Sequence, residues 1–214
     1  MSTTPAPTND KRVATRVLPP HPKQAAVVIV AFTAVLYLVE AVNSALGDRL
    51  AHDGIRPRTL SGLWGILDAP LIHGSWEHLL HNTIPVLLFG FLALSVGLVP
   101  WISATVLIWL LSGVGVWLTG ASATSVVGAS GLAFGWLAFL LVRGFLTRSV
   151  AQILIAVVLF VYWGSVLFGL LPWQPSISWQ AHVFGAVGGV LAALLTAKAG
   201  RYAPVTTPPG NLTS

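Results

Sequence analysis

Six long apolar stretches dominate the chain, at approximately 24–46, 77–97, 100–119, 128–143, 150–171 and 180–199. A helix rising about 1.5 Å per residue needs about 20 mostly apolar residues to cross a hydrocarbon layer about 30 Å thick. Each stretch is therefore expected to be a membrane-spanning helix. Residues 1–23 are polar and Pro-rich, and the charge-free stretch after them is too long for a removable signal peptide and lacks a small-residue cleavage motif. The first helix is read as retained, and the Pro/Thr-rich residues 200–214 as a disordered tail. No internal repeat is visible.

The links differ. Residues 47–76 form a long one, carrying Gly47, Gly54, Pro57, Gly62, Gly65 and Pro70 among Leu60, Leu63, Trp64, Ile66 and Leu67. That loop is too apolar to float in water, so short amphipathic helices in the interface are expected, with Trp64 and Trp76 as headgroup-level anchors. The other links are short, which makes successive spans antiparallel neighbours.

Composition agrees. Of 214 residues 55% are hydrophobic and 8% charged, with a mean hydropathy of +0.82, against about 25% charged in a soluble domain. The fold class implied is all-α, a polytopic six-helix bundle in a lipid bilayer, with 24–199 as its membrane domain. A net charge of +5 could suggest nucleic acid, but Arg143 and Arg148 are the only basic residues between Arg58 and Lys198. No phosphate-tracking stripe exists, so no nucleic-acid partner is expected. With no cysteine, thiolate metal sites and a cysteine nucleophile are excluded.

Charge also sets orientation. With the N-terminus inside, the inner segments carry Lys11, Arg12, Arg16, Lys23, Arg143, Arg148, Lys198 and Arg201, and the outer ones only Arg49, Arg56 and Arg58. The excess of positive charge places both termini in the cytoplasm.

Polar residues within or beside the spans need a reason, because lipid penalises them. Three clusters stand out: His73 to Asn82 at the start of the second span, Gly128-Ala129-Ser130-Gly131 at the start of the fourth, and Gln180-Ala181-His182 at the start of the sixth. Forty-eight residues separate Asn82 from Ser130 and 52 separate Ser130 from His182, each enough for two crossings. All three clusters therefore belong at one face, the outer one.

Their chemistry fits together. A serine hydroxyl needs a base to take its proton, and neutral imidazole is the usual one, which pairs Ser130 with His182. Gly128 and Gly131 permit close approach of backbone or substrate, and a helix start leaves N–H groups free for an oxyanion. His78 and Asn82 lie one turn apart on one face and offer two side-chain donors to the same charge. No acidic residue follows Glu77, so a Ser–His dyad is indicated rather than a triad. His81, about 100° round the helix from Asn82, is read as structural. A zinc protease built on His73, Glu77, His78 and His81 is rejected because neither His-Glu-x-x-His nor its inverted form is present. No metal or other cofactor is expected.

The run His73, His78, Asn82, then Gly128-Ala129-Ser130-Gly131, then Ala181-His182 with Gly185 and Gly189, resembles the rhomboid family of intramembrane serine proteases over about residues 54–195. The resemblance implies Ser130 as nucleophile and His182 as base, with His78, Asn82 and the Ser130 N–H holding the oxyanion. It places His73 near the site and makes Gly185 and Gly189 the glycines that let the last helix approach the serine helix. It further implies transmembrane substrates with small residues at the cut, and a site in the cell membrane opening to the extracytoplasmic side. Two positions depart from the family pattern. The first loop lacks the usual Trp-Arg pair, and Phe134 stands where a tyrosine is frequent. An inactive relative that only binds transmembrane helices is the alternative.

Overall fold

A computed structural model describes residues 15–163, 170–172 and 178–202. The helices are α1 (Pro22–Ala45), α2 (Ser61–Asp68), α3 (Trp76–Ala93), α4 (Leu98–Thr119), α5 (Ser130–Thr147), α6 (Val150–Trp163) and α7 (Trp179–Tyr202), with 3-10 turns at Arg49–Asp53 and Leu94–Val96. There is no strand among the described residues, only an isolated antiparallel bridge between Ile55 and Val126. An all-helical architecture is what lipid demands, since a helix satisfies its own backbone polar groups.

Five helices are long and apolar enough to cross a membrane: α1, α3 with its 3-10 extension, α4, α5 and α7. The expected sixth is shorter as described. The 14 residues of α6 reach only about 21 Å at 1.5 Å per residue, and residues 164–169 of the expected 150–171 span lie outside the described residues. Most of the expected polar N-terminal segment, residues 1–14, and the tail from 203 onward also fall outside them. The link 47–76 contains the short helices expected of it, and Trp64 is 72% exposed.

Lipid-facing stripes can be read directly. On α4 the exposed large apolar residues are Val99, Ile102, Val106, Leu110, Val114 and Leu118, spaced three or four apart as one helical face requires. In contrast, α5 is buried nearly all round, with Leu132, Trp136, Leu137 and Phe139 in the core. Trp136 stacks on Trp101 at 5.7 Å, meets Phe32 edge-on, and donates its indole N–H to Thr105 Oγ1 at 3.1 Å.

Small residues bring α7 against α5 and α4. A Cβ added at Gly185 would strike the Gly131 carbonyl oxygen, and one at Gly189 the Gly135 carbonyl oxygen. Ser112 of α4 closes the third side by donating to the Ala181 carbonyl at 2.9 Å. Gly189→Leu should therefore lower the melting temperature by roughly 5 °C or more. Gly74→Ala, whose new Cβ meets nothing within 4 Å, should leave it unchanged.

At the other end of α5 the helix runs past the expected boundary at 143, and Arg143 is buried. Its guanidinium donates to Ser95 Oγ at 2.6 Å and to the Arg16 carbonyl at 3.2 Å, and Gln152 Nε2 donates to the same carbonyl at 2.8 Å. A charge that ends the apolar pattern in sequence is thus accommodated inside the bundle by hydrogen bonds.

Candidate active site

Ser130 is the first residue of α5, and the turn that delivers it is held by neighbours. Val126 exchanges both backbone hydrogen bonds with Ile55 at 3.0 Å, and the Gly128 N–H donates to the Ala69 carbonyl at 2.8 Å. Gly128 has φ of +121°, a conformation side chains rarely adopt, and a Cβ there would sit 2.7 Å from His78 Cε1. Glycine is needed twice over, for the backbone angle and for the ring that lies against it. As the opening residue of a helix, Ser130 has an N–H with no intrahelical acceptor, and none of the described residues accepts it.

His182 stands in the first turn of α7, and the glycine contacts that draw α7 onto α5 bring its Nε2 to 2.8 Å from Ser130 Oγ. The imidazole is 6% exposed and stacks on Phe134 with ring centroids 4.0 Å apart and planes 6° from parallel. Phenylalanine thus supplies the flat face on which the histidine rests, one turn below the serine on the same helix.

On α3 the Ser75 side chain caps the helix by accepting the His78 N–H at 3.1 Å, which fixes the first turn carrying His78. Asn82 is buried and gives one amide hydrogen to the His78 carbonyl at 3.1 Å. Its second amide hydrogen and the His78 ring nitrogens find no hydrogen-bond partner among the described residues. His73 lies just outside the span, fully buried, with its ring edge-on to His78 at 5.1 Å. Burial pushes its imidazole down to about 4; His78 acts in the same direction and the Leu71 carbonyl opposes it. The neutral ring can accept, and the Ala129 N–H faces its Nε2 at 3.4 Å. Its Nδ1 is buried without a hydrogen bond of good geometry.

His78, Asn82, Ser130, Phe134 and His182 line one cavity of about 1060 Å³. The three sequence clusters, over 100 residues apart from end to end, therefore meet at one end of the bundle. His81, read from the sequence as structural, is exposed on the cavity wall together with Glu77. His73 and Gly131 do not line it. A Cβ at Gly131 would strike Ser112 Oγ, so that glycine serves helix packing.

The Rhomboid domain model matches residues 60–199. The chain belongs to the rhomboid family. Rhomboid proteins are normally intramembrane serine proteases, and membership together with the apolar helices makes this a multi-pass membrane protein. It is similar to the uncharacterized protein Rv1337 of Mycobacterium tuberculosis and to the uncharacterized protein Mb1372 of Mycobacterium bovis. Each is 45% identical over 176 residues, covering 78% of this rhomboid chain and 73% of the relative. The uncharacterized protein ML1171 of Mycobacterium leprae is 43% identical over 177 residues, covering 79% and 70% respectively.

Proposed function

We propose that the protein is a serine endopeptidase that cuts transmembrane segments of other membrane proteins near the extracytoplasmic face. The observation that carries this reading is the 2.8 Å approach of His182 Nε2 to Ser130 Oγ inside a cavity large enough for a peptide strand. In the tautomer with the proton on Nδ1, Nε2 accepts the serine proton as Oγ attacks the scissile carbonyl. The resulting oxyanion is met by the Ser130 N–H, the free Asn82 amide hydrogen and the His78 ring. Collapse expels the amine, which takes the proton back from His182 Nε2, and leaves an ester on Ser130. Water, deprotonated by the same imidazole, then hydrolyses the acyl-enzyme. The protease domain spans 24–199, both termini are cytoplasmic and the cavity opens to the extracytoplasmic side.

Removing one oxyanion donor from a serine protease costs about 2.7–4 kcal/mol. Asn82→Ala should therefore lower kcat by roughly a hundredfold or more with a smaller change in KM. An effect confined to KM would make Asn82 a substrate-binding residue instead.

The reading is tested by where the cut falls. The reacting groups sit in the first turns of α5 and α7 and the first two turns of α3, within about 10 Å of the ends of these helices. A substrate helix hides its carbonyls in hydrogen bonds and must unwind at that depth, which favours Gly, Ala, Ser or Pro there. Mass spectrometry of a cleaved single-pass reporter in vesicles should map the bond to the extracytoplasmic end of its span. A bond in the cytoplasmic half would overturn both orientation and site.

A further inference from the structure

The last two turns of α1 carry a carboxylate and an amide that the mechanism above does not use. Glu40 and Asn43 are one turn apart and fully buried, and a carboxyl group in a membrane-spanning helix is costly enough to require a role. Asn43 Nδ2 donates to the His73 carbonyl at 3.1 Å and makes longer contacts, at 3.4 Å each, to Glu40 Oε2 and Asp48 Oδ1. Asn43 Oδ1 accepts the Leu50 N–H at 3.0 Å. One amide therefore joins α1, the loop at 48–50 and the segment leading into α3.

From His73 the contacts continue to the serine. Residues 69–73 hold two successive backbone amides just ahead of Ser130: Gly128 N–H on the Ala69 carbonyl and Ala129 N–H facing His73 Nε2. The same His73 ring borders His78. The segment that carries the serine turn is thus itself carried by Asn43.

We propose that Asn43, oriented by Glu40, is a positioning residue for the reaction assigned to Ser130. By fixing the His73 carbonyl it fixes the ring against which the 128–129 turn and His78 are set, and so the direction of the Ser130 N–H and of the His78 side chain. Neither residue touches substrate. The proposal rests on the protease reading, and a displacement of about 1 Å at a reacting group can cost on the order of a hundredfold in rate.

The test uses the full chain in vesicles with a transmembrane reporter. Wild type and Ser130→Ala are run first: reporter cleavage that persists in the alanine variant defeats the protease reading itself, separately from anything said of Asn43. Two further variants follow. Asn43→Asp keeps the acceptor for the Leu50 N–H but turns a carboxylate toward Glu40 and the His73 carbonyl. Combining it with Glu40→Gln exchanges donor and acceptor within α1, while the His73 carbonyl still lacks its donor. Asn43→Asp should lower the melting temperature and reduce kcat about tenfold or more. The double variant should regain the melting temperature but not kcat, with KM within about twofold of wild type in both. Recovery of kcat in step with the melting temperature would overturn the proposal, as would a kcat for Asn43→Asp within about twofold of wild type. Should Asn43→Asp not fold, the double variant decides alone, scored per folded molecule: kcat equal to wild type overturns the proposal, and a kcat about tenfold lower supports it.

Discussion

Ser130→Ala should eliminate cleavage of a transmembrane reporter while leaving the melting temperature within about 4 °C of wild type. The hydroxyl is half-buried and meets His182 Nε2 at 2.8 Å, so its removal takes away a hydrogen bond worth about 1 kcal/mol net and leaves packing intact. The catalytic loss is of another order. Removing the nucleophile of a serine protease costs on the order of 10⁶ in turnover, which puts the alanine variant below detection in a membrane assay. Residual cleavage at even about a tenth of the wild-type rate would show that another group attacks the carbonyl.

His182→Ala should be nearly as damaging, and the comparison with the acidic residues is what gives it meaning. All six acidic residues, Asp10, Glu40, Asp48, Asp53, Asp68 and Glu77, precede the second histidine of the site in sequence. The imidazole is instead oriented by the stack on Phe134 and by the packing of α7. His182→Ala should therefore cost several orders of magnitude in kcat, and Asp68→Asn or Glu77→Gln about tenfold at most. Glu77 is the sharper control because it lines the cavity. A Glu77→Gln variant as inactive as His182→Ala would add a carboxylate to the catalytic group.

How much of this was legible in the sequence follows from which physical terms act locally. Five of the six expected spans were, because lipid imposes a continuous apolar requirement, and the small residues that let the last helix pack closely were visible as glycines. Parity of crossings was enough to expect Asn82, Ser130 and His182 at one face. The end of α5 was not legible: Arg143 interrupts the apolar pattern, and only the fold provides the Ser95 hydroxyl and Arg16 carbonyl that let it stay inside.

Glu40 and Asn43 are visible in the sequence but their role is not. They form an acidic–amide pair three residues apart near the end of an otherwise apolar span, but the His73 carbonyl that Asn43 binds lies 30 residues further on. Ser112, which ties the first turn of α7 to α4, is an isolated hydroxyl of a kind common in membrane helices. Phe134 was visible as a departure from the family's frequent tyrosine. Its parallel stack on His182 depends on the relative rotation of α5 and α7, which no local pattern encodes.

The central claim is that Ser130 is a nucleophile activated by His182, and covalent trapping tests it most directly. The full-length protein in vesicles is treated with a fluorophosphonate, digested and sequenced by mass spectrometry, with Ser130→Ala and His182→Ala alongside. A single adduct on Ser130, absent from the first variant and strongly reduced in the second, is the predicted result. No adduct on a folded wild-type protein, or one on another residue that persists in Ser130→Ala, would contradict it.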